Sequence, residues 1–193
     1  RYFEMSDGTY WFGGGIDLTP HYVIESDAIF FHKQLKKICD RHDISHYAQF
    51  KKWADDYFFI KHRNETRGIG GIFFDRLSSK ESDEKEKIWE FVLSMGNEFL
   101  PIYTELISRN KDHPFTKAQQ DWQYLRRGRY VEFNLVLDKG TKFGLDTNGR
   151  TESILMSLPP FASWEYNHQP DPGSPEAKTL AYLVKDHDWI NHD

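Results

Sequence analysis

A carboxylate that directly follows a run of glycines is the feature of this sequence best suited to chemistry. Residues 11–20 read WFGGGIDLTP, so three glycines strip the backbone of side chains immediately before Asp17. Consecutive glycines lose more conformational entropy on folding than other residues, so a run of them needs a physical reason. One reason is close approach of the backbone to a flat ligand, with Asp17 aimed at that ligand. The other is an ordinary surface loop between a strand and a helix.

Seven arginines accompany this segment, and all of them fall at the ends of predicted elements or in turns, where a scaffold presents binding groups. The planar guanidinium binds carboxylates in a bidentate manner. With 16% aromatic residues, the set would suit a flat, hydrophobic ligand that carries several carboxylates. For any single arginine, an ordinary salt bridge with one of the 30 acidic residues is the alternative. The seven are Arg1, Arg63, Arg67, Arg126, Arg127, Arg129 and Arg150.

Several familiar catalytic motifs are missing from the sequence. It contains no Gly-x-Ser-x-Gly elbow, no Walker loop and no His-Glu-x-x-His motif. The glycines of residues 68–71 precede a predicted strand, whereas a dinucleotide fingerprint follows a strand and opens a helix. We therefore expect no nicotinamide or flavin site, and we expect these glycines to let two backbones approach beside Arg63 and Arg67. The net charge of −5 argues against a non-specific nucleic-acid-binding protein.

Metal and disulfide chemistry have little support in the residues. Cys39 is the only cysteine, and its place on an apolar helix face predicts a structural role. His32 lies on the same face and is predicted to be a core residue. A metal site that uses His32 and His62 remains an alternative, but nothing nearby in the sequence supplies a third and a fourth ligand.

The pattern of apolar residues predicts one α+β domain over residues 1–193. A Ser6-Asp7-Gly8 turn indicates a hairpin over residues 1–12. Helices and strands occur in blocks joined by short turns, which favours an antiparallel sheet covered by helices. No run approaches the ~20 apolar residues of a membrane span. The predicted helices cover 26–39, 45–60, 88–106 with a kink at Pro101, 116–124 closed by Gly128, and 174–184. The predicted strands cover 72–75, 130–137, 142–145 and 151–158.

Long motifs of this sequence resemble the oxygen-dependent coproporphyrinogen III oxidases. The similarity covers nearly the whole chain and is clearest in WFGGGIDLTP, in residues 57–71, and in RRGRYVEFN, GTKFGL and ESILMSLP further on. The resemblance implies a large antiparallel sheet flanked on both faces by helices. It also implies a homodimer whose interface comes largely from residues 130–165. Members of this family occur in the cytosol and in the mitochondrial intermembrane space.

The resemblance further implies a reaction in heme biosynthesis. Two propionate groups of coproporphyrinogen III would be oxidatively decarboxylated to vinyl groups, giving protoporphyrinogen IX with O₂ as oxidant. No organic cofactor is expected, and generally no metal. A tetrapyrrole-binding protein without catalysis is the alternative reading of the same arginines and aromatic residues.

Residue roles follow from the resemblance by position. Asp17 would accept hydrogen bonds from the pyrrole N–H groups, and Arg67, together with Arg63, would hold a propionate. Arg1 and the turn Asn148-Gly149-Arg150 would contact the substrate. The family also has a more N-terminal portion with a proton-donor histidine, so we expect this domain to be truncated before Arg1.

Overall fold

A β-hairpin begins the chain in the computed structural model, which describes residues 1–79 and 81–191. Strand β1, Tyr2–Glu4, pairs antiparallel with β2, Tyr10–Leu18. Gly8 takes a φ of +83° in the connecting turn, a conformation that glycine adopts without strain. The hairpin predicted from the Asp7-Gly8 turn signal is therefore confirmed.

The three consecutive glycines lie inside β2 and not in a loop, which corrects the surface-loop alternative. Strand β5, Gly70–Leu77, pairs antiparallel with β2, so the sheet has the order β1-β2-β5. Close packing across these strands is possible only because the glycines have no side chains. A Cβ at Gly14 would come within 2.9 Å of the Phe74 ring, and one at Gly15 within 2.9 Å of the Ile72 carbonyl oxygen.

Alternation along the strands gives the sheet two different faces. Ile16, Ile72 and Phe74 pack into the main hydrophobic core. The opposite face, here called the Asp17 face, presents Gly13, Gly15, Asp17, Phe73 and Asp75. The backbone of the three glycines thus separates a conventional core from a surface with charged groups.

Three helices build the core against this sheet: α1, Glu25–His42, α2, His46–Tyr57, and α3, Ser82–Asn110. The apolar face predicted for α1 is buried as expected. Pro101 lies inside α3, as predicted, and that helix continues past it to Asn110. The largest core side chains, all fully buried, are Phe31, Leu35, Ile38, Phe50, Ile72, Phe74, Phe91 and Trp189.

A two-stranded ribbon follows α2 where a continuous helix was predicted. Helix α2 ends at Tyr57, and β3, Phe59–Ile60, pairs with β4, Glu65–Thr66. Asn64 has a φ of +53° in the intervening turn, a conformation that asparagine tolerates better than most residues. The ribbon reverses the chain and delivers Arg67 to the sheet.

Residues 130–158 are helical, so the strands predicted over 130–137, 142–145 and 151–158 are wrong. Helix α4, Lys117–Glu132, starts with a capping box between Thr116 and Gln119 and runs through Gly128, which is not a C-cap. A π-helical turn, Phe133–Leu137, follows directly. Helices α5, Lys139–Asp146, and α6, Thr151–Leu155, come next.

The predicted strands fail because the side chains of this segment are not buried alternately, as those of a half-buried strand would be. Phe133 and Asn134 are neighbours and both are buried, whereas Leu135 and Val136 are 45% and 51% exposed. Such a pattern fits a helix, in which each side chain points in a different direction from the one before it. The chain is α+β as expected, with a three-stranded antiparallel sheet in the described residues.

The C-terminal part returns to the core through α7, Pro175–Tyr182, which Ser174 caps by accepting a hydrogen bond from the Ala177 N–H. Trp189 is 1% exposed and stacks on His32 with ring centroids 5.9 Å apart. No helix in the described ranges is both long enough and apolar enough to cross a bilayer.

Candidate active site

Asp17 and Arg67, which the sequence analysis selected separately, form an ion pair on the Asp17 face. The Arg67 Nη2 donates to Asp17 Oδ1. The Arg67 side chain is 9% exposed and that of Asp17 is 25% exposed. The Arg67 backbone N–H donates to the Phe58 carbonyl oxygen at 2.9 Å, which fixes the chain at this point. The guanidinium is therefore buried, while the carboxylate stays within reach of a ligand.

Three aromatic rings surround the Arg67 guanidinium. Its Cζ atom lies 4.1 Å from the ring centroid of Phe58, 4.9 Å from Phe133 and 5.3 Å from Tyr130. All three distances fall within the range of a cation–π interaction. The Arg67 Nε atom is buried and has no hydrogen-bond partner among the described residues. The cage therefore holds a desolvated cation with an N–H donor unused, and low local polarity strengthens its attraction for an anion.

The second glycine cluster brings Arg67 to Asp17. A Cβ at Gly68 would collide with the Leu18 carbonyl oxygen, and one at Gly71 would collide with that of Ile16. Gly71 also has a φ of +154°, which side-chain-bearing residues rarely adopt. The expectation that these glycines let two backbones approach beside Arg67 is confirmed.

A second guanidinium–carboxylate pair lies on the same face. Arg1 Nη2 is 2.9 Å from Asp75 Oδ1, and the Arg1 Cζ atom is 5.9 Å from the Phe73 ring centroid. A Cβ at Gly13 would lie 2.5 Å from both Arg1 Nε and Asp75 Oδ1, so this pair occupies the space of a missing side chain. Asp17 lies four steps along the extended strand from Gly13, a span of about 13 Å.

A cavity of about 450 Å³ reaches both Arg1 and Asp17. Its wall opposite β2 is one side of α3, which the sequence analysis did not associate with the site. The available signal was Gly96, a glycine in the interior of a long helix, where glycine costs about 1 kcal/mol relative to alanine. The lining residues are Arg1, Gly13, Gly14, Gly15, Ile16, Asp17 and Phe74 from the sheet side, and Val92, Met95, Gly96 and Phe99 from α3.

Arg63 is bound to Glu132 in this structure and not to a group beside Arg67. Arg63 Nε donates to Glu132 Oε2 at 2.9 Å and Nη2 to Oε1 at 2.5 Å, and His62 Nε2 lies 3.0 Å from Oε2. Burial raises the pKa of Glu132, but hydrogen bonds from Arg63 and His62 and the charge of Arg129 outweigh it, giving a pKa of about 2. Glu132 is therefore ionised, and a substrate role for Arg63 stays a prediction.

The turn predicted to touch substrate lies between α5 and α6, and its three residues are exposed. Asn148 has a φ of +55°, and the Gly149 N–H donates to the Gly144 carbonyl oxygen at 2.8 Å. No contact described here joins Asn148, Gly149 or Arg150 to the Asp17–Arg67 pair. Their substrate role stays a prediction.

His32 is a core residue, as predicted. Its Nδ1 lies 2.9 Å from the Tyr47 hydroxyl and its Nε2 lies 3.0 Å from the Ile69 carbonyl oxygen, so both ring nitrogens are engaged. Burial lowers the pKa of His32 to about 3 and raises that of Cys39 to about 12. Within residues 1–79 and 81–191, no group of three or more histidine, cysteine or carboxylate side chains is arranged to hold a metal ion.

The family profile described as Coproporphyrinogen III oxidase matches residues 1–189. A protein from Francisella tularensis subsp. holarctica (strain LVS), named oxygen-dependent coproporphyrinogen-III oxidase, is 52% identical over 187 residues, or 97% of this chain and 59% of the relative. Proteins of the same name from Francisella tularensis subsp. novicida (strain U112) and from Francisella philomiragia subsp. philomiragia are also 52% identical. These matches cover 94% and 97% of this chain, and 58% and 59% of the relatives.

The chain therefore spans somewhat less than three fifths of the length of these relatives. The match to the family profile extends over almost all of it, including both glycine clusters, Asp17 and Arg67. This chain belongs to the coproporphyrinogen III oxidase family.

Proposed function

We propose that this protein carries out the oxygen-dependent decarboxylation of coproporphyrinogen III, converting two propionate side chains to vinyl groups and yielding protoporphyrinogen IX. The observation that carries the proposal is the Asp17–Arg67 pair, presented beside bare glycine backbone in a member of this family. A partly exposed carboxylate next to a caged guanidinium suits a ligand that combines N–H donors with carboxylates.

The dimensions of the Asp17 face support a ligand of this size. The Arg67–Asp17 and Arg1–Asp75 pairs lie about 13 Å apart along β2, with the half-exposed ring of Phe73 between them. Gly15 is exposed along this path, whereas Gly13 lies buried beneath Arg1 and Asp75. A tetrapyrrole with carboxylates on its rim would lie over the glycines and reach a guanidinium at each end.

Each residue then has a definite task. Asp17 accepts hydrogen bonds from the pyrrole N–H groups and holds the ring in place. Arg67 binds a propionate through the part of its guanidinium that remains exposed beside Asp17. Binding energy from the remaining carboxylates contributes to orienting the reacting side chain. Arg1 and the turn Asn148-Gly149-Arg150 contribute further contacts with the substrate, and Arg63 joins Arg67 if its pair with Glu132 opens.

The chemistry balances with O₂ as the only oxidant. Each propionate loses CO₂ and a hydrogen from the carbon next to the pyrrole ring, and the C–C double bond of the vinyl group forms. The two electrons and two protons released reduce O₂ to hydrogen peroxide. We propose that no organic cofactor or metal takes part, because a reduced pyrrole ring is itself a strong electron donor.

The test is product formation from coproporphyrinogen III in air and under argon, followed by chromatography of the oxidised porphyrins. The Francisella tularensis relative serves as the positive control. We expect vinyl products and CO₂ in air and none under argon. Equal turnover in the two atmospheres would contradict the proposal.

A tetrapyrrole carrier without catalysis is the second candidate, because the same charged and aromatic groups would bind a porphyrin. It predicts saturable binding of coproporphyrin III with no vinyl product from coproporphyrinogen III in air. The names of the 52% identical relatives favour the enzyme over the carrier.

We also propose that the protein is a homodimer whose interface comes largely from residues 130–165. Support comes from the apolar side chains that this region exposes. Changing Met156 to Glu should shift the molecular mass measured by light scattering from dimer toward monomer, whereas Ile44→Glu, on an exposed side chain outside the region, should not. The exposed apolar side chains are Leu135, Val136, Phe143, Leu145, Met156, Phe161 and Trp164.

A further inference from the structure

A β-bulge in β5 includes Asp75, the residue that pairs with Arg1. Phe12 pairs with Leu77 and Gly14 pairs with Phe74, so Asp75 and Arg76 together lie opposite a single residue of β2, Gly13. Arg76 has a φ of +53°, the left-handed conformation that a β-bulge can impose on one of its residues. Alternation from Phe74, which faces the core, places Asp75 on the Asp17 face, and the bulge sets it opposite Gly13 together with Arg76.

The surroundings of Asp75 indicate that it serves Arg1 and not the ligand. Asp75 Oδ1 is buried, and its 2.9 Å contact with Arg1 Nη2 is an ion pair without the alignment of a hydrogen bond. The Arg1 side chain is 45% exposed and that of Asp75 is 33% exposed, so the guanidinium is the more accessible partner of the pair. A guanidinium carries five N–H donors, so Arg1 keeps donors for a ligand while it contacts Asp75.

We infer that Asp75 is a positioning residue, which holds the Arg1 guanidinium on the Asp17 face as a second binding group for a substrate carboxylate. This inference rests on the proposed function, since it names the role of Asp75 in the same site. Without Asp75, the long Arg1 side chain would lose its anchor and would have to be ordered by the ligand itself. Ordering a flexible side chain weakens binding.

Gly13 makes this arrangement sterically possible. Because a Cβ at residue 13 would lie 2.5 Å from both charged groups, Gly13→Ala should separate Arg1 from Asp75 without removing either charge. This substitution and Asp75→Asn therefore disturb the same contact by independent means.

The experiment is a fluorescence titration of the chain with coproporphyrin III, the stable oxidised form of the proposed substrate. The variants are Asp75→Asn, Arg1→Gln, their combination and Gly13→Ala. The matched control is Asp40→Asn, which removes an exposed carboxylate from an ion pair with Lys36 on α1. We expect Asp75→Asn and Gly13→Ala each to weaken binding about twofold to fivefold, the range for a partly exposed ion pair. The control should bind like the unchanged chain.

The double variant separates positioning from a merely structural role. In the Arg1→Gln background, Asp75→Asn should cause no further loss, because there is no guanidinium left to position. If Asp75→Asn acted only by destabilising the fold, it would lower the affinity for coproporphyrin III by the same factor in the unchanged chain and in Arg1→Gln. Asp75→Glu, which keeps the charge, should restore part of the affinity.

The outcomes decide the inference. Binding of Asp75→Asn equal to that of the unchanged chain, or an equal loss with and without Arg1, overturns it while the proposed function stands. If Asp75→Asn does not fold, the same comparison is made with Gly13→Ala alone and in the Arg1→Gln background. A chain that binds no coproporphyrin III at all overturns both the proposed function and this inference.

Discussion

Asp17 and Arg67 are 50 residues apart in the sequence, yet they form an ion pair between β2, which carries Asp17, and the segment that follows β4. Their meeting depends on two glycine clusters. One precedes Asp17 in the sequence, and the other follows Arg67. Gly13 to Gly15 let neighbouring groups pack directly on the strand that carries Asp17, and Gly68 to Gly71 allow the chain after Arg67 to pack against the carbonyl groups of that strand. The charged pair is therefore a consequence of backbone contact that side chains would prevent.

Removing the charge of Asp17 should abolish activity with little effect on the fold. Asp17→Asn keeps an oxygen that can accept from Arg67, so we expect the free energy of unfolding to fall by only about 1 kcal/mol. The amide of asparagine would accept hydrogen bonds from the pyrrole N–H groups more weakly than the carboxylate does in the transition state. We therefore expect kcat/KM to fall about 100-fold or more. Turnover assays and urea unfolding measure the two effects. Activity of the variant within about threefold of the unchanged protein would contradict the role given to Asp17.

Arg67→Lys should weaken substrate binding although the charge is kept. A lysine ammonium cannot form the bidentate fork and does not stack on Phe58 and Phe133 as a planar guanidinium does. We expect about a tenfold rise in KM or in the Kd for coproporphyrin III, corresponding to about 1.4 kcal/mol. Lys36→Arg, on the exposed side of α1, is the matched control and should leave both quantities unchanged. Equal affinity of Arg67→Lys would argue against a fork-shaped contact.

Glu132 should make the stability of the protein depend on pH in the acid range. Its pKa is about 2 in the folded chain and close to 4.5 when unfolded, so the unfolded state binds the proton more readily. The stabilisation is therefore present above pH 4.5 and is lost as the pH falls from about 4.5 toward 2. Its size is on the order of 3 kcal/mol at pH 7.

The measurement is urea unfolding of the unchanged protein and of Glu132→Gln between pH 3 and pH 7. The variant should be less stable at pH 7 by about 1–3 kcal/mol, because Arg63 and His62 lose their shared partner. The two stability curves should converge toward the acid end. A difference that stays constant across this range would show that the charge of Glu132 is not its source.

Two glycines should respond oppositely to alanine. Gly71→Ala places a Cβ against the Ile16 carbonyl oxygen at a φ of +154°, so it should lower the free energy of unfolding by about 2 kcal/mol or more. Gly96→Ala meets no atom within 4 Å and replaces glycine in a helix interior, so it should raise that free energy by up to about 1 kcal/mol. Thermal unfolding of both variants checks the prediction, and effects of the same sign would contradict it.

Sequence reasoning worked best where local chemistry decides the structure. The Asp7-Gly8 turn, the buried face of α1 and the short helix that begins near Ser174 each depend on neighbouring residues or on a regular period, and each was confirmed. It failed over residues 130–158, where alternating apolar residues suggested strands. There the capping box at Thr116 starts a helix that continues into the π-helical turn, and the burial of Phe133 follows from packing on Tyr57 and Arg67.

By itself, the sequence determined which groups the site contains: a carboxylate beside bare glycines, arginines near element ends, and the motifs of one family. Only the tertiary structure decided how those groups are paired. Arg67 pairs with Asp17 among three aromatic rings, Arg63 pairs with Glu132, and Arg1 pairs with Asp75 beside a β-bulge. The physical reason is that an arginine's partner depends on which carboxylate the folded backbone brings within about 4 Å, and spacing along the chain does not contain that distance.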